Sequence, residues 1–215
     1  MIAQGCSKVF DDERGIRMRL FIAIDLGQRV RALVKKEVER LQPFAPKAKW
    51  VNVEGMHVTL VFLGYVDDQR VPQVQAIVRD VAWRHPPVRL AVEAIGGFGS
   101  SVRPRVLWLG LTGDVEPLAA IKAELEERLV PLGYEPEKRP FRPHLTLARA
   151  RMPNGDAALA RCIRACGATA FGTAQVDRII LFRSDLSPKG AKYTALCEPQ
   201  LSGRGGMVTE GGEMQ

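Results

Sequence analysis

The sequence predicts a mixed α and β fold made of two similar halves that face one another. Strand-like and helix-like segments alternate from residue 18 to residue 202. One tetrapeptide pattern, His-x-Thr-apolar, occurs once in each half, as His57-Val58-Thr59-Leu60 and His144-Leu145-Thr146-Leu147. The chain has 215 residues, 46% of them hydrophobic and 26% charged, enough to bury the core of one large domain or of two small lobes sharing a cleft.

Residues 1–17 are polar, lack a period and carry cancelling charges, so they read as a disordered extension. Leu20 to Leu26 is a continuous apolar run of the kind a buried strand carries. Gln28 to Leu41 puts Val30, Leu33, Val34, Val38 and Leu41 on one helical face. Lys49-Trp50-Val51 and His57 to Gly64 read as strands. Val71 to Trp83 reads as a helix with Val74, Ile77, Val78 and Val81 inward. Val88 to Ile95 alternates as a strand and is expected to end at a Gly96-Gly97 turn. Val106 to Leu111 is the next strand, and a helix from Val115 to Leu132 turns Leu118, Ile121, Leu125 and Leu129 inward. In the second half His144 to Ala148 reads as a strand and Asp156 to Cys166 as a helix. Ala174 to Phe182 and Tyr193 to Leu201 are the closing strands. The folded unit is residues 18–202, and the glycine-rich residues 203–215 read as a disordered tail.

A net charge of +7 suits a polyanionic partner without naming one. Four cysteines, Cys6, Cys162, Cys166 and Cys197, include no C-x-x-C pair, so zinc-finger spacing is absent. No signal-peptide or membrane-spanning run stands out, and a cytoplasmic protein with reduced thiols is expected. Nothing marks a self-association surface, so a monomer is expected. Gly96-Gly97-Phe98-Gly99 lacks the Lys and helix of a phosphate-binding loop.

The two His-x-Thr patterns carry the chemistry. There are seven threonines and three histidines in the chain, so a Thr two residues after a given His has a chance of roughly 3%. On a strand, residues i and i+2 share a face. His57 and Thr59 therefore look one way while Val58 and Leu60 look into the core, and His144 and Thr146 do likewise. If the two strands lie together, two imidazoles and two hydroxyls converge. Imidazole gives and takes protons near neutral pH, and hydroxyls donate to phosphate oxygens. The third histidine, His85, stands before Pro86-Pro87 at a helix end, where an imidazole can cap carbonyls, and is assigned no chemistry.

The double motif resembles the two-histidine phosphoesterase superfamily, and within it the RNA 2′,3′-cyclic phosphodiesterases, also called 2′-5′ RNA ligases. The likeness spans most of residues 18–201. It includes Met18-Arg19-Leu20-Phe21-Ile22-Ala23, Lys49-Trp50-Val51, the run His57 to Gly64, Trp108-Leu109-Gly110, Phe141 to Arg149, and Leu181 to Leu186. The resemblance implies an α+β fold of two pseudo-symmetric lobes, each an antiparallel sheet with helices outside and an active-site cleft between. It implies hydrolysis of RNA terminal 2′,3′-cyclic phosphate to a 2′-phosphomonoester, without metal or cofactor, on RNA 3′ ends or small cyclic nucleotides. By that resemblance His57 is the proton donor, His144 the proton acceptor, and Thr59 and Thr146 hold phosphate oxygens. Arg149 is expected near the phosphate, where a guanidinium can bind two oxygens. Arg142 shares the catalytic face if its strand extends that far, and Phe141 is a candidate for stacking on a base. Phe62 fits the same role, but core packing is the expectation there. Arg103 and Arg105 are weaker candidates for contact with an RNA backbone.

Three other readings stand beside this one. A 2′-5′ RNA ligase would run the reaction in reverse, although the abundance of water and the absence of coupling to ATP favour hydrolysis. A non-catalytic RNA-binding module would have no need of both proton-transfer groups. A metallohydrolase lacks ligands near either motif.

Overall fold

The structure, a computed structural model, describes residues 17–166, 170–187 and 190–204. Apart from Arg17, Gly203 and Arg204, the expected extension and tail lie outside the described residues. Arg17 opens the first strand, and the Gly203 N–H donates to the His85 carbonyl. The described elements run β1 (Arg17–Ile24), α1 (Gly27–Leu41), β2 (Lys49–Trp50), β3 (Val58–Asp67), α2 (Val71–Arg84), β4 (Val88–Gly99) and β5 (Pro104–Gly113). They continue with α3 (Val115–Leu129), β6 (His144–Arg149), α4 (Ala157–Ala165), β7 (Ala170–Val176), β8 (Ile180–Ser187) and β9 (Gly190–Cys197).

The strands form two antiparallel sheets, ordered β3-β1-β8-β9 and β2-β6-β5-β4-β7. Each sheet is packed by two of the helices. Helices α1 and α4 pack on the five-stranded sheet, against β7 and against β4 and β5. Helices α2 and α3 pack on one another and on the four-stranded sheet, through β8 and β3. The core follows from the apolar faces read in the sequence: Leu20, Ile22 and Ile24 of β1, Leu107 and Leu109 of β5, and Leu118, Ile121, Leu125 and Leu129 of α3 are all buried.

Four strands of each lobe correspond in order, and β2 is an addition to the five-stranded sheet. In each, the His-bearing strand (β3 or β6) pairs with a central strand (β1 or β5), then with β8 or β4, then with β9 or β7. The lobes are nevertheless not the two halves of the sequence. Strand β4 leaves the first half to pair with β5, its neighbour in the chain, and β8 returns from the second half to pair with β1. Short local connections favour pairing of consecutive strands, and that outweighs the division of the sequence into halves.

Two segments differ from the reading of the sequence. The Gly96-Gly97 pair lies inside β4, and the turn comes after Gly99. A Cβ at Gly96 would fall inside the ring of Trp108 on β5, so this glycine serves close packing across the sheet. The run Ala174–Phe182 is two strands. The chain leaves the five-stranded sheet at Val176 and enters the other at Ile180. The crossing is held by Ile179 N–H to Pro199 O (3.1 Å) and Leu201 N–H to Asp177 O (2.8 Å). Apolar residues continue through the crossing, which is why no break shows in the sequence.

Gly96→Ala should destabilise the fold by about 1–3 kcal/mol, because the added methyl must push the Trp108 ring aside. Urea unfolding against the unmodified protein measures it, and an unchanged midpoint would show that the ring moves freely.

Candidate active site

A shared irregularity builds both halves of the site. In the β1–β3 ladder Ala23 stands opposite Thr59, Ile22 opposite Val61 and Phe21 opposite Phe62, so Leu60 is an extra residue. In the β5–β6 ladder Trp108 stands opposite Thr146, Leu107 opposite Ala148 and Val106 opposite Arg149, so Leu147 is extra. Each is a β-bulge one residue after the threonine. Both residues of each pair, Leu60 with Val61 and Leu147 with Ala148, are buried. The bulge restores parity three residues past the threonine. Phe62 thereby returns to the face of Thr59, and Arg149 to the face of Thr146. On a regular strand the fifth residue after each histidine would point into the core.

The histidines are held in the same way. The ring of His57, just ahead of β3, donates from Nδ1 to the Gly55 carbonyl at 2.8 Å. That of His144, at the start of β6, donates from Nδ1 to the Arg142 carbonyl at 2.8 Å. A carbonyl only accepts, so Nδ1 carries the proton in each neutral ring and Nε2 is the free, titrating atom. Among the described residues neither Nε2 has a hydrogen-bond partner.

Aromatic rings wall both imidazoles. Around His57 lie Phe21 (ring centroids 4.7 Å), Tyr193 (5.1 Å) and Phe182 (6.0 Å). His144 has Phe98 edge-on at 4.8 Å and Trp108 at 6.5 Å. Burial therefore pushes both histidines below their ordinary range, and the carbonyl hydrogen bonds oppose that in part. The charges nearby differ in sign. The Asp25 carboxylate, paired with Arg31 at 2.6 Å, raises His57, while the Arg149 guanidinium further lowers His144. Strands β3 and β6, one from each sheet, are in contact.

The other candidates are distributed unevenly. Arg149 ends β6 on the His144 face and is exposed. Arg142 lies outside β6, which begins at His144, and its side chain is exposed; its carbonyl orients the His144 ring. The half-buried Phe141 ring packs against the core with Lys122 Nζ 5.6 Å above it. Phe62, where core packing was the expectation, is instead exposed on the His57 face. Arg103 donates to the Gly155 carbonyl at 3.3 Å, and Arg105 is exposed on β5. His85, at the end of α2, meets Glu124 Oε2 of α3 at 2.8 Å and so joins the two helices. Among the described residues no three His, Cys, Asp or Glu side chains gather as a metal site, and no helix is long and apolar enough to cross a membrane.

Sequence reasoning missed the carbonyls of Gly55 and Arg142, the bulges, and the walls formed by Tyr193, Phe182, Phe98 and Trp108. Two adjacent apolar residues after each His-x-Thr, Leu60-Val61 and Leu147-Ala148, were the available sign of a bulge.

A two-lobed α+β protein that sets one His-x-Thr strand on each sheet is the class this fold and site define. The chain belongs to the 2′-5′ RNA ligase superfamily, whose sequence profile it matches over residues 29–188. An RNA 2′,3′-cyclic phosphodiesterase of Methanothermobacter thermautotrophicus is 30% identical over 179 residues, 83% of this chain and 96% of that protein. One of Thermotoga maritima is 32% identical over 189 residues, 86% of this chain and 97% of that protein. Among solved structures, a protein of Thermus thermophilus superimposes with a TM-score of 0.71 at 30% identity, covering 88% of this chain and all (100%) of that one. E. coli LigT complexed with 3′-AMP gives 0.68 at 26% identity, covering 86% and 98%.

Replacing Arg149 by Ala should raise the pKa of His144 and leave that of His57 in place, because only His144 feels this cation. Imidazole NMR titration reads both, and a His144 value that fails to rise would place the Arg149 charge away from the ring.

Proposed function

We propose that this chain hydrolyses the 2′,3′-cyclic phosphate at RNA 3′ ends to a 2′-phosphomonoester by acid–base catalysis between His57 and His144, without a metal ion. The observation that carries the reading is the matched pair of imidazoles, each fixed through Nδ1 and free at Nε2, on strands that are in contact. The names of the relatives at 30% identity and above point to the same activity.

In this mechanism His144 Nε2 takes a proton from water as the water oxygen bonds to phosphorus. His57, protonated at Nε2, gives its proton to the 3′ oxygen as the P–O3′ bond breaks. The product keeps its phosphate on the 2′ oxygen, and proton exchange with solvent restores the two rings. The nearby charges support this division of labour, since Asp25 favours the protonated form of His57 and Arg149 the neutral form of His144. The Thr59 and Thr146 hydroxyls donate to the non-bridging oxygens, and Arg149 neutralises the charge that grows on them. His and Thr share a face in each strand by simple alternation, and the Leu147 bulge brings Arg149 onto the face of His144 and Thr146.

His57→Ala and His144→Ala should each cut turnover of an RNA ending in 2′,3′-cyclic phosphate by at least about 10²-fold while melting like the parent. Resolving the 2′- from the 3′-phosphate product tests the regiochemistry. A 3′-phosphate product, or full activity in either variant, sinks the assignment.

Turnover should also be indifferent to EDTA, because two imidazoles and two hydroxyls hold a divalent ion weakly. Activity abolished by the chelator and restored by one added metal would overturn the metal-independent mechanism.

A further inference from the structure

The Leu60 bulge leaves a large aromatic ring on the open face. Phe62 is 59% exposed, whereas Phe21, its neighbour across the ladder, is 3% exposed. Phe21 lies 4.7 Å from the His57 ring and 6.1 Å from the Phe62 ring, so Phe62 stands one ring further along the sheet from the histidine. Beside it opens a shallow pocket of about 250 Å³ lined by Arg19, Leu20, Phe21, Phe62 and Gly64. The Arg19 guanidinium donates to the neutral Ser184 hydroxyl at 3.3 Å, so it brings positive charge to this face. Tyr65, opposite Arg19 in the ladder, is exposed as well.

An exposed ring beside a cation matches the alternation of base and phosphate in a single strand, since rings stack on any nucleobase and guanidinium pairs with phosphate. A cyclic mononucleotide has one phosphate, which the histidine site takes, so it has no second anion for a cation beyond Phe21. A longer strand supplies one. The equivalent position in the other lobe is Arg149, so only the four-stranded lobe has this platform.

We infer that the Phe62–Arg19 pocket is a subsite for the RNA strand 5′ to the cyclic end: the base preceding the terminal nucleotide stacks on Phe62, and the internucleotide phosphate meets Arg19. The inference rests on reading the histidine pair as the cyclic-phosphate site. It makes the preferred substrate an oligonucleotide end.

The test compares adenosine 2′,3′-cyclic phosphate with a triadenylate ending in 2′,3′-cyclic phosphate, in the full chain and in Phe62→Ala, Phe62→Leu, Phe62→Trp and Arg19→Gln. The unmodified protein should favour the trinucleotide about 10-fold or more in kcat/KM, through KM, as one stacked base allows. Phe62→Ala and Phe62→Leu should lose most of that preference, and Phe62→Trp should keep it. Arg19→Gln should reduce both the preference and its sensitivity to salt. Leucine keeps an apolar side chain at this site, so a Phe62→Leu protein with the parent's melting curve isolates the loss of the aromatic face. Equal use of the two substrates by the unmodified protein, or an undiminished preference in Phe62→Leu, overturns the subsite. Turnover of neither substrate overturns the phosphodiesterase reading itself, and the subsite falls with it.

Discussion

Side-chain alternation along a strand is the constraint on which this site depends. A strand buried on one face has every second residue to offer the other, and His, Thr and the residue five places after the His cannot all share a face on a regular strand. The extra residues Leu60 and Leu147 resolve the conflict by sending two consecutive apolar side chains into the core. Each bulge is held from behind by packed leucines and valines, so the helical cores of the lobes fix the parity of the open face. Slipping either register by one residue would bury a histidine and expose a leucine.

Burial and hydrogen bonding then set what the imidazoles can do. Rings packed against phenylalanines lose water, and that disfavours the imidazolium. The carbonyls at Gly55 and Arg142 oppose this loss and fix the tautomer as well. A Cβ on Gly55 would stand 3.3 Å from the Tyr193 ring, so the turn that presents the carbonyl is itself packed against the wall of the site. One stretch of chain thus positions the ring, selects its tautomer and closes one side of its pocket.

Much of this was legible in the sequence, and the illegible part has a physical reason. Helices α1 to α4 and the core strands follow from periodicity, because burial selects apolar residues at 3.6 or 2.0 spacing wherever the element ends up. His57 with Thr59 and His144 with Thr146 could be paired because i and i+2 share a face without knowledge of any neighbour. Pairing between strands cannot be read this way. The exchange of β4 and β8 between lobes, the crossing at Asp177–Ile179 and the glycine packed under Trp108 depend on which strand lies alongside. Phe62 and Phe141 show the same limit. Both are aromatic residues close to a histidine motif, yet one is exposed and the other is half-buried against the core beside Lys122.

Departures from symmetry give the site its direction. Strand order, bulges and histidine tethers repeat in the two lobes, and an exact two-fold site would treat both ester oxygens of a cyclic phosphate alike. The side chains around the two histidines differ. Five residues after the histidine, one lobe has Phe62 and the other Arg149. A carboxylate, Asp25, acts on one imidazole, and a guanidinium, Arg149, on the other. Burial lowers both imidazoles, and these differences act on top of it: Asp25 opposes the lowering at His57, whereas Arg149 adds to it at His144. A nucleotide also has unlike ends, base at one and phosphate at the other, so the fold can be symmetric while the ligand it suits has one direction of approach.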